Sequence, residues 1–158
     1  MKNGSWKPYL FFVLLSEGVG ILAGLLTREA TALFGETVVQ SALTPPSIVF
    51  PIVWTALYAL MGIGAARVWN GPETPAQKQS INIFLIQLIV NFFWSLIFFN
   101  AQAFGFALVW LILLWVLILW MILSFWKTDK TAALLQIPYL LWVSFAGYLN
   151  YTVWILNN

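Results

Sequence analysis

The sequence predicts an all-α polytopic membrane protein, a bundle of five transmembrane helices formed as one domain by residues 1–158. Three observations predict it. Hydrophobic residues make up 62% of the chain and charged ones 8%, with a mean hydropathy of +0.90, whereas a soluble domain carries roughly 25% charged residues. Apolar runs of about 20 residues, long enough to cross a hydrocarbon core at 1.5 Å per residue, recur between short polar stretches. Finally, the chain holds ten tryptophans, a residue that favours bilayer interfaces and polar-tipped pockets.

The first run, residues 8–26, opens with Pro8 at a first-turn position and continues too long, without a clean cleavage site, for a signal peptide. It is expected to remain as a helix. Gly20 and Gly24 form a GxxxG pair that lets helix backbones approach closely, either as a dimer contact or as a contact within the chain. Glu17 lies near the middle of this run, where an ionised carboxylate costs at least about 2.5–3.5 kcal/mol. Two readings stay open: a mostly protonated acid inside the bundle or facing a wet cavity, or a carboxyl capped by a neighbouring polar side chain.

Residues 27–45 turn polar and form a long loop, readable as a lid over one end of the bundle or as a simple tether. The second helix, 46–69, follows the Pro45-Pro46 pair. Trp54, Tyr58, Met61 and Ala65 share one of its faces, a surface able to line a cavity. After the Gly/Pro-rich stretch 70–78, the third helix spans 79–101 and carries Gln87, Asn91 and Ser95 on one face, which must turn inward to find partners. The fourth, 106–126, is nearly pure Leu, Ile, Val and Trp and reads as lipid-facing or packing scaffold.

The fifth helix, 132–156, places Gln136, Tyr139, Trp142, Ala146 and Asn150 in a stripe about 120° wide. Aromatic faces, a small residue and amides suit either the wall of a pocket for a flat, partly polar ligand or a seam between helices. Pro138 is expected to bend this helix.

Histidine and cysteine are absent, which removes thiol chemistry, disulfides, the usual His-based catalytic pairs and the common zinc and haem ligands. No catalytic constellation and no metal site is expected. A net charge of +2 without a Lys/Arg stripe sets nucleic acid aside.

Several stretches resemble one family. Pro45-Pro46, Phe50-Pro51, Val53-Trp54-Thr55, Leu57-Tyr58, Met61-Gly62 and Val68-Trp69 are similar to the second helix of the TspO/MBR family of tryptophan-rich sensory proteins. Asn91-Phe92-Phe93-Trp94 resembles its third helix, and Pro138-Tyr139-Leu140, Trp142, Phe145-Ala146, Leu149-Asn150-Tyr151 and Val153-Trp154 its fifth. The resemblance implies a five-helix bundle, commonly a homodimer, with a pocket toward the long-loop end for porphyrins and other hydrophobic planar molecules. It carries Trp54, Asn91, Trp142 and Ala146 into that pocket, with Ala23 on resemblance alone; Tyr58, Tyr139 and Asn150 join them from the helical stripes. The chain departs from the family in lacking a tryptophan and a Lys-Pro step before the Pro-Pro pair, and in having Trp110 where relatives often carry Asp. Ile155 follows Trp154 with no basic residue after it, so cholesterol recognition is not expected.

The expected function is therefore a binding protein for tetrapyrroles, acting as sensor or transporter, with protoporphyrin IX or haem as ligand and no required cofactor. Two alternatives are a light-dependent porphyrin-degrading enzyme using Trp54 and Trp142, and a small transporter with Glu17 as proton carrier. With five crossings, Lys2, Lys7, Arg67, Lys78, Lys127 and Lys130 fall on one side and Arg28 on the other. The positive-inside rule then expects the N-terminus in the cytoplasm of a bacterial cell.

Overall fold

The computed structural model describes residues 4–158; Lys2, counted above for orientation, lies outside the described residues. Among the described residues, five helical stretches are long and apolar enough to cross a membrane: Lys7–Leu26, Val49–Asn70, Pro75–Asn100, Phe104–Trp126 and Lys130–Leu156.

α1 (Lys7–Leu26) takes Pro8 in its first turn, where a missing N–H costs nothing. It stops where the Thr27 hydroxyl folds back onto the Ala23 carbonyl at 2.8 Å. The chain then restarts at once as α2 (Arg28–Thr37), so much of the expected loop 27–45 is helical. Glu29 in the first turn complements the helix dipole, and Phe34 supplies the anchor that fixes so short a helix. Its ring lies 5.3 Å from those of Phe98 and Phe99 and 6.1 Å from Phe104.

α3 (Val49–Asn70) begins three residues later than expected, because Pro46 to Val49 closes a turn, with Val49 N–H donating to the Pro46 carbonyl at 3.0 Å. α4 (Pro75–Ser95) begins earlier than expected, since the Thr74 hydroxyl accepts from Gln77 N–H at 3.1 Å and Pro75 pre-sets the first turn. The same helix then widens into a π-helical turn, Leu96–Asn100, in which Ala101 N–H reaches back to the Leu96 carbonyl. Gln102, with φ of 49°, makes the reversal into α5 (Phe104–Trp126). Asp129 caps α6 (Lys130–Leu134), accepting from Ala132 N–H at 2.8 Å.

At Leu135 and Gln136 the last span breaks, and α7 (Ile137–Leu156) starts afresh with Pro138 in its first turn. Pro138 therefore separates two helices instead of bending one.

α1 packs along α3, while α4, α5 and α7 stack side by side; α3 also touches α4 and α6. The α1–α3 crossing is tight because Gly62 has no side chain: a Cβ there would sit 2.5 Å from Val13 Cα. α5, expected as lipid-facing or scaffold, buries Ala107, Leu111, Leu114, Ile118, Met121 and Phe125 at the centre of its three-helix stack. α3 and α7 share no long backbone seam, and large side chains fill the gap between them. Lys7, Arg67, Lys78, Lys127 and Lys130 gather at the end away from α2, where Arg67 and Asp129 form an ion pair at 3.0 Å.

Candidate functional site

The face of α3 read from the sequence meets α4 and α7 through one connected set of polar side chains. Tyr58 Oη donates to Asn91 Oδ1 at 2.9 Å, Asn91 Nδ2 donates to Tyr139 Oη at 2.6 Å, and Tyr139 Oη donates to Gln87 Oε1 at 2.8 Å. Gln87 Nε2 then points at the Met61 sulfur, 3.7 Å away. Tyr139 and Gln87 are 0% exposed and Asn91 2%. In hydrocarbon each of these groups needs a partner, and here they supply one another. Membrane insertion thus selects the spacing: Gln87 and Asn91 are one turn apart on α4 and face the two hydroxyls together.

Aromatic rings surround this polar core. Trp54 lies 5.6 Å from Tyr58, one turn along α3, and meets Tyr139 across the gap edge-to-face at 6.2 Å. Toward the α2 end, Phe50 meets Trp142 at 5.9 Å, and Ala146 follows Trp142 one turn on, half-buried. Trp142 Nε1 is buried with no hydrogen-bond partner among the described residues, an unused donor on α7 one turn from Tyr139. Tyr58, Asn91 and Tyr139 are thus joined directly, and the rings of Trp54 and Trp142 close the gap around them. Ala146 adjoins Trp142, and Ala23 is buried on α1 in the strip that also holds Phe12 and Ser16.

Asn150 is placed elsewhere. Its Oδ1 accepts from Trp94 Nε1 at 3.2 Å and its Nδ2 donates to the Phe104 carbonyl at 2.9 Å, so it clasps the α4 end to the start of α5. Gly20 lies against the Tyr58 ring within the chain, whereas Gly24 faces open space. Glu17 is half-buried on α1, and no hydrogen bond or ion pair joins it to another described residue. Trp110, at the family's frequent Asp position, donates through Nε1 to the Val90 carbonyl at 2.8 Å and pins α5 to α4.

Two residues of the region were not singled out by the helical stripes. Phe50 belongs to the second-helix motif but to no stripe, and Asn157 lies beyond the last stripe. Asn157 accepts from Val39 N–H at 2.9 Å and donates to the Val39 and Val153 carbonyls at 2.8 and 2.7 Å. Two cavities open near this end of α7. One of about 610 Å³ is bounded by Thr37, Gln102, Phe104, Phe106, Trp154 and Asn157, and one of about 270 Å³ separates Gln40, Ser41 and Ala42 from Tyr151, Thr152 and Ile155. Neither is lined by Trp54, Asn91 or Trp142: between α3 and α7 the rings themselves occupy the space.

Comparison with known proteins is consistent along the chain. A family model described as the TspO/MBR family matches residues 12–155. Tryptophan-rich protein TspO of Chlorobaculum tepidum is 39% identical over 147 residues, covering 90% of this chain and 91% of that protein. Protein CrtK of Rhodobacter capsulatus is 34% identical over 114 residues, 72% of this chain and 71% of its own length. The translocator protein of Bos taurus is 30% identical over 155 residues, 97% of this chain and 92% of that protein.

Proposed function

The chain belongs to the TspO/MBR family, and from that premise we propose that this integral membrane protein binds porphyrins and other hydrophobic planar molecules, as a sensor or transporter. Relatives named for translocation and for sensing support the coarser role. The Trp142 indole carries the finer one: its N–H is buried without an acceptor while its ring borders Phe50 beside the α3–α7 gap. Both amide atoms of Asn91 already have partners. What remains to be offered is one N–H and several ring faces, which a flat aromatic guest with an acceptor at its edge would use. Admitting such a guest requires the rings of α3 and α7 to part.

The cluster of cations at the end away from α2 supports an N-terminus in the cytoplasm, with α2 and the C-terminus on the far side.

Protoporphyrin IX titration, followed by quenching of tryptophan emission, tests the reading. Trp142→Ala is expected to weaken binding about tenfold, equivalent to ~1.4 kcal/mol, and Asn91→Ala to weaken it less, by loosening the Tyr58 and Tyr139 side chains that it joins. Unchanged affinity in both removes the site. Because the chain has neither His nor Cys, the metal-free ring should bind about as well as haem.

A further inference from the structure

The cavity of about 610 Å³ at the α2 end stands apart from the rings between α3 and α7 and takes no part in the function proposed above. Its walls come from three places: Thr37 at the end of α2, Gln102 and Phe106 at the turn into α5, and Trp154, Asn157 and Asn158 at the end of α7. None of the side chains that line it is charged. The Gln102 and Asn158 carboxamides and the Trp154 indole N–H make no hydrogen bond to another described residue, so each is free for a ligand. The Thr37 hydroxyl donates to the Leu33 carbonyl at 2.8 Å and can still accept.

The walls are held in place. A Cβ at Gly105 would lie 2.9 Å from Trp154 Nε1, so the bare backbone there seats the pyrrole edge of the indole against the start of α5. Asn157 is fixed by its bonds to Val39 and to the Val153 carbonyl. Gln102 holds a φ of 49°, which glycine would adopt at less cost, but glycine would bring no carboxamide. Because α5 starts at Phe104 and α7 ends at Leu156, the cavity lies at the ends of two spans, the level of lipid headgroups. From there Phe106, Val109 and Leu113 descend one face of α5, 57%, 64% and 44% exposed.

We propose that this cavity binds the uncharged, hydroxyl-rich headgroup of a glycolipid, whose acyl chains lie along the Phe106, Val109 and Leu113 face. A sugar hydroxyl both donates and accepts, as the carboxamides of Gln102 and Asn158 do, and the apolar face of a sugar ring packs on an indole. The volume falls within the roughly 300–1,000 Å³ of small-molecule sites. A phosphate would meet no cation among the lining side chains, and Glu36, next to Thr37 on α2, has the sign that repels it. The phosphate of a phospholipid headgroup is disfavoured on that ground, whereas a neutral sugar gives up only water that the amides and the indole N–H replace. The site needs neither a porphyrin nor any movement of the rings between α3 and α7.

Native mass spectrometry tests this by counting the lipids that the protein keeps on release from amine-oxide micelles, a detergent without sugar. A monoglucosyl diacylglycerol competes with a phosphatidylglycerol of the same acyl chains, and the wild-type protein is expected to keep the glycolipid about tenfold better. Gln102→Gly removes the carboxamide at a φ that suits glycine, so it should unfold no earlier in SDS. Trp154→Phe keeps an aromatic ring and removes the N–H. Each should lower the preference about threefold or more, while Trp120→Phe, exposed on α5 outside the cavity, should leave it unchanged. Equal retention of phosphatidylglycerol by the wild-type protein overturns the headgroup class. A preference that survives both Gln102→Gly and Trp154→Phe, or falls equally in Trp120→Phe, overturns the site. Free methyl glucoside that competes as well as the glycolipid overturns the lipid as its source.

Discussion

Removing the Tyr139 hydroxyl is the sharpest test of the polar core. In Tyr139→Phe the ring still fills its fully buried place, so packing is kept and only hydrogen bonding changes. Asn91 Nδ2 loses its acceptor at 2.6 Å and Gln87 Oε1 loses its donor at 2.8 Å, both in an interior that water does not reach. An unpaired buried group costs about 1–3 kcal/mol in soluble proteins, but measured interhelical bonds in a membrane average about 0.6 and reach about 1.7. Two bonds lost together should therefore cost about 1–3 kcal/mol. Tyr58→Phe removes only the bond to Asn91 Oδ1, at the head of the chain, and should cost about half as much. Reversible unfolding by SDS in mixed micelles gives both numbers, and the double variant gives their coupling through Asn91. Below about 0.5 kcal/mol for Tyr139→Phe, or equal effects of the two variants, the side chains would not form the connected set described here.

At the α1–α3 crossing, Gly62→Ala should destabilise by about 1–3 kcal/mol, because the new methyl meets the Val13 backbone, whereas Gly24→Ala, with nothing within 4 Å, should be neutral or slightly stabilising in the same assay. Asn150→Leu should cost about 1–2 kcal/mol through the lost bonds to Trp94 and Phe104 yet leave protoporphyrin affinity unchanged, which a titration of the folded protein reads directly. The Arg67–Asp129 pair has side chains 36% and 23% exposed, so Arg67→Ala should cost no more than about 1 kcal/mol. Asp129→Ala should cost up to about 2 kcal/mol more, since it also uncaps α6. Equal losses in those two variants would mean that the cap contributes nothing.

The five spans were legible because hydrocarbon demands long apolar helices whatever their neighbours, and that demand is written in local composition. Trp54, Tyr58, Asn91 and Tyr139 were legible for a related reason: a polar or aromatic stripe on a spanning helix has to face inward. α2 was not, because a ten-residue helix with a polar surface owes its existence to one distant contact, Phe34 on the Phe98 group. The break before α7 escaped because Pro138 suits a first turn as well as a kink, and only the tertiary structure chooses between them. Asn150 shares the stripe of Trp142 and Ala146, but lies eight residues beyond Trp142, where α7 has reached the level of Phe104. Asn157 had no pattern to betray it, since its partner is 118 positions away.

The π-helical turn at Leu96–Asn100 has a consequence for how the chain tolerates change in length. A single surplus residue in a helix turns everything beyond it by about 100°. That rotation aims Phe98 and Phe99 at the Phe34 ring and lets Asn100 Nδ2 donate to the Leu26 carbonyl at 3.1 Å. Deleting one residue there would restore a regular α-helix, yet would swing both fastenings away from the junction of α1 and α2. In this protein the regular helix would be the damaged form, and the irregular turn is the joint that keeps the α2 end of the bundle assembled.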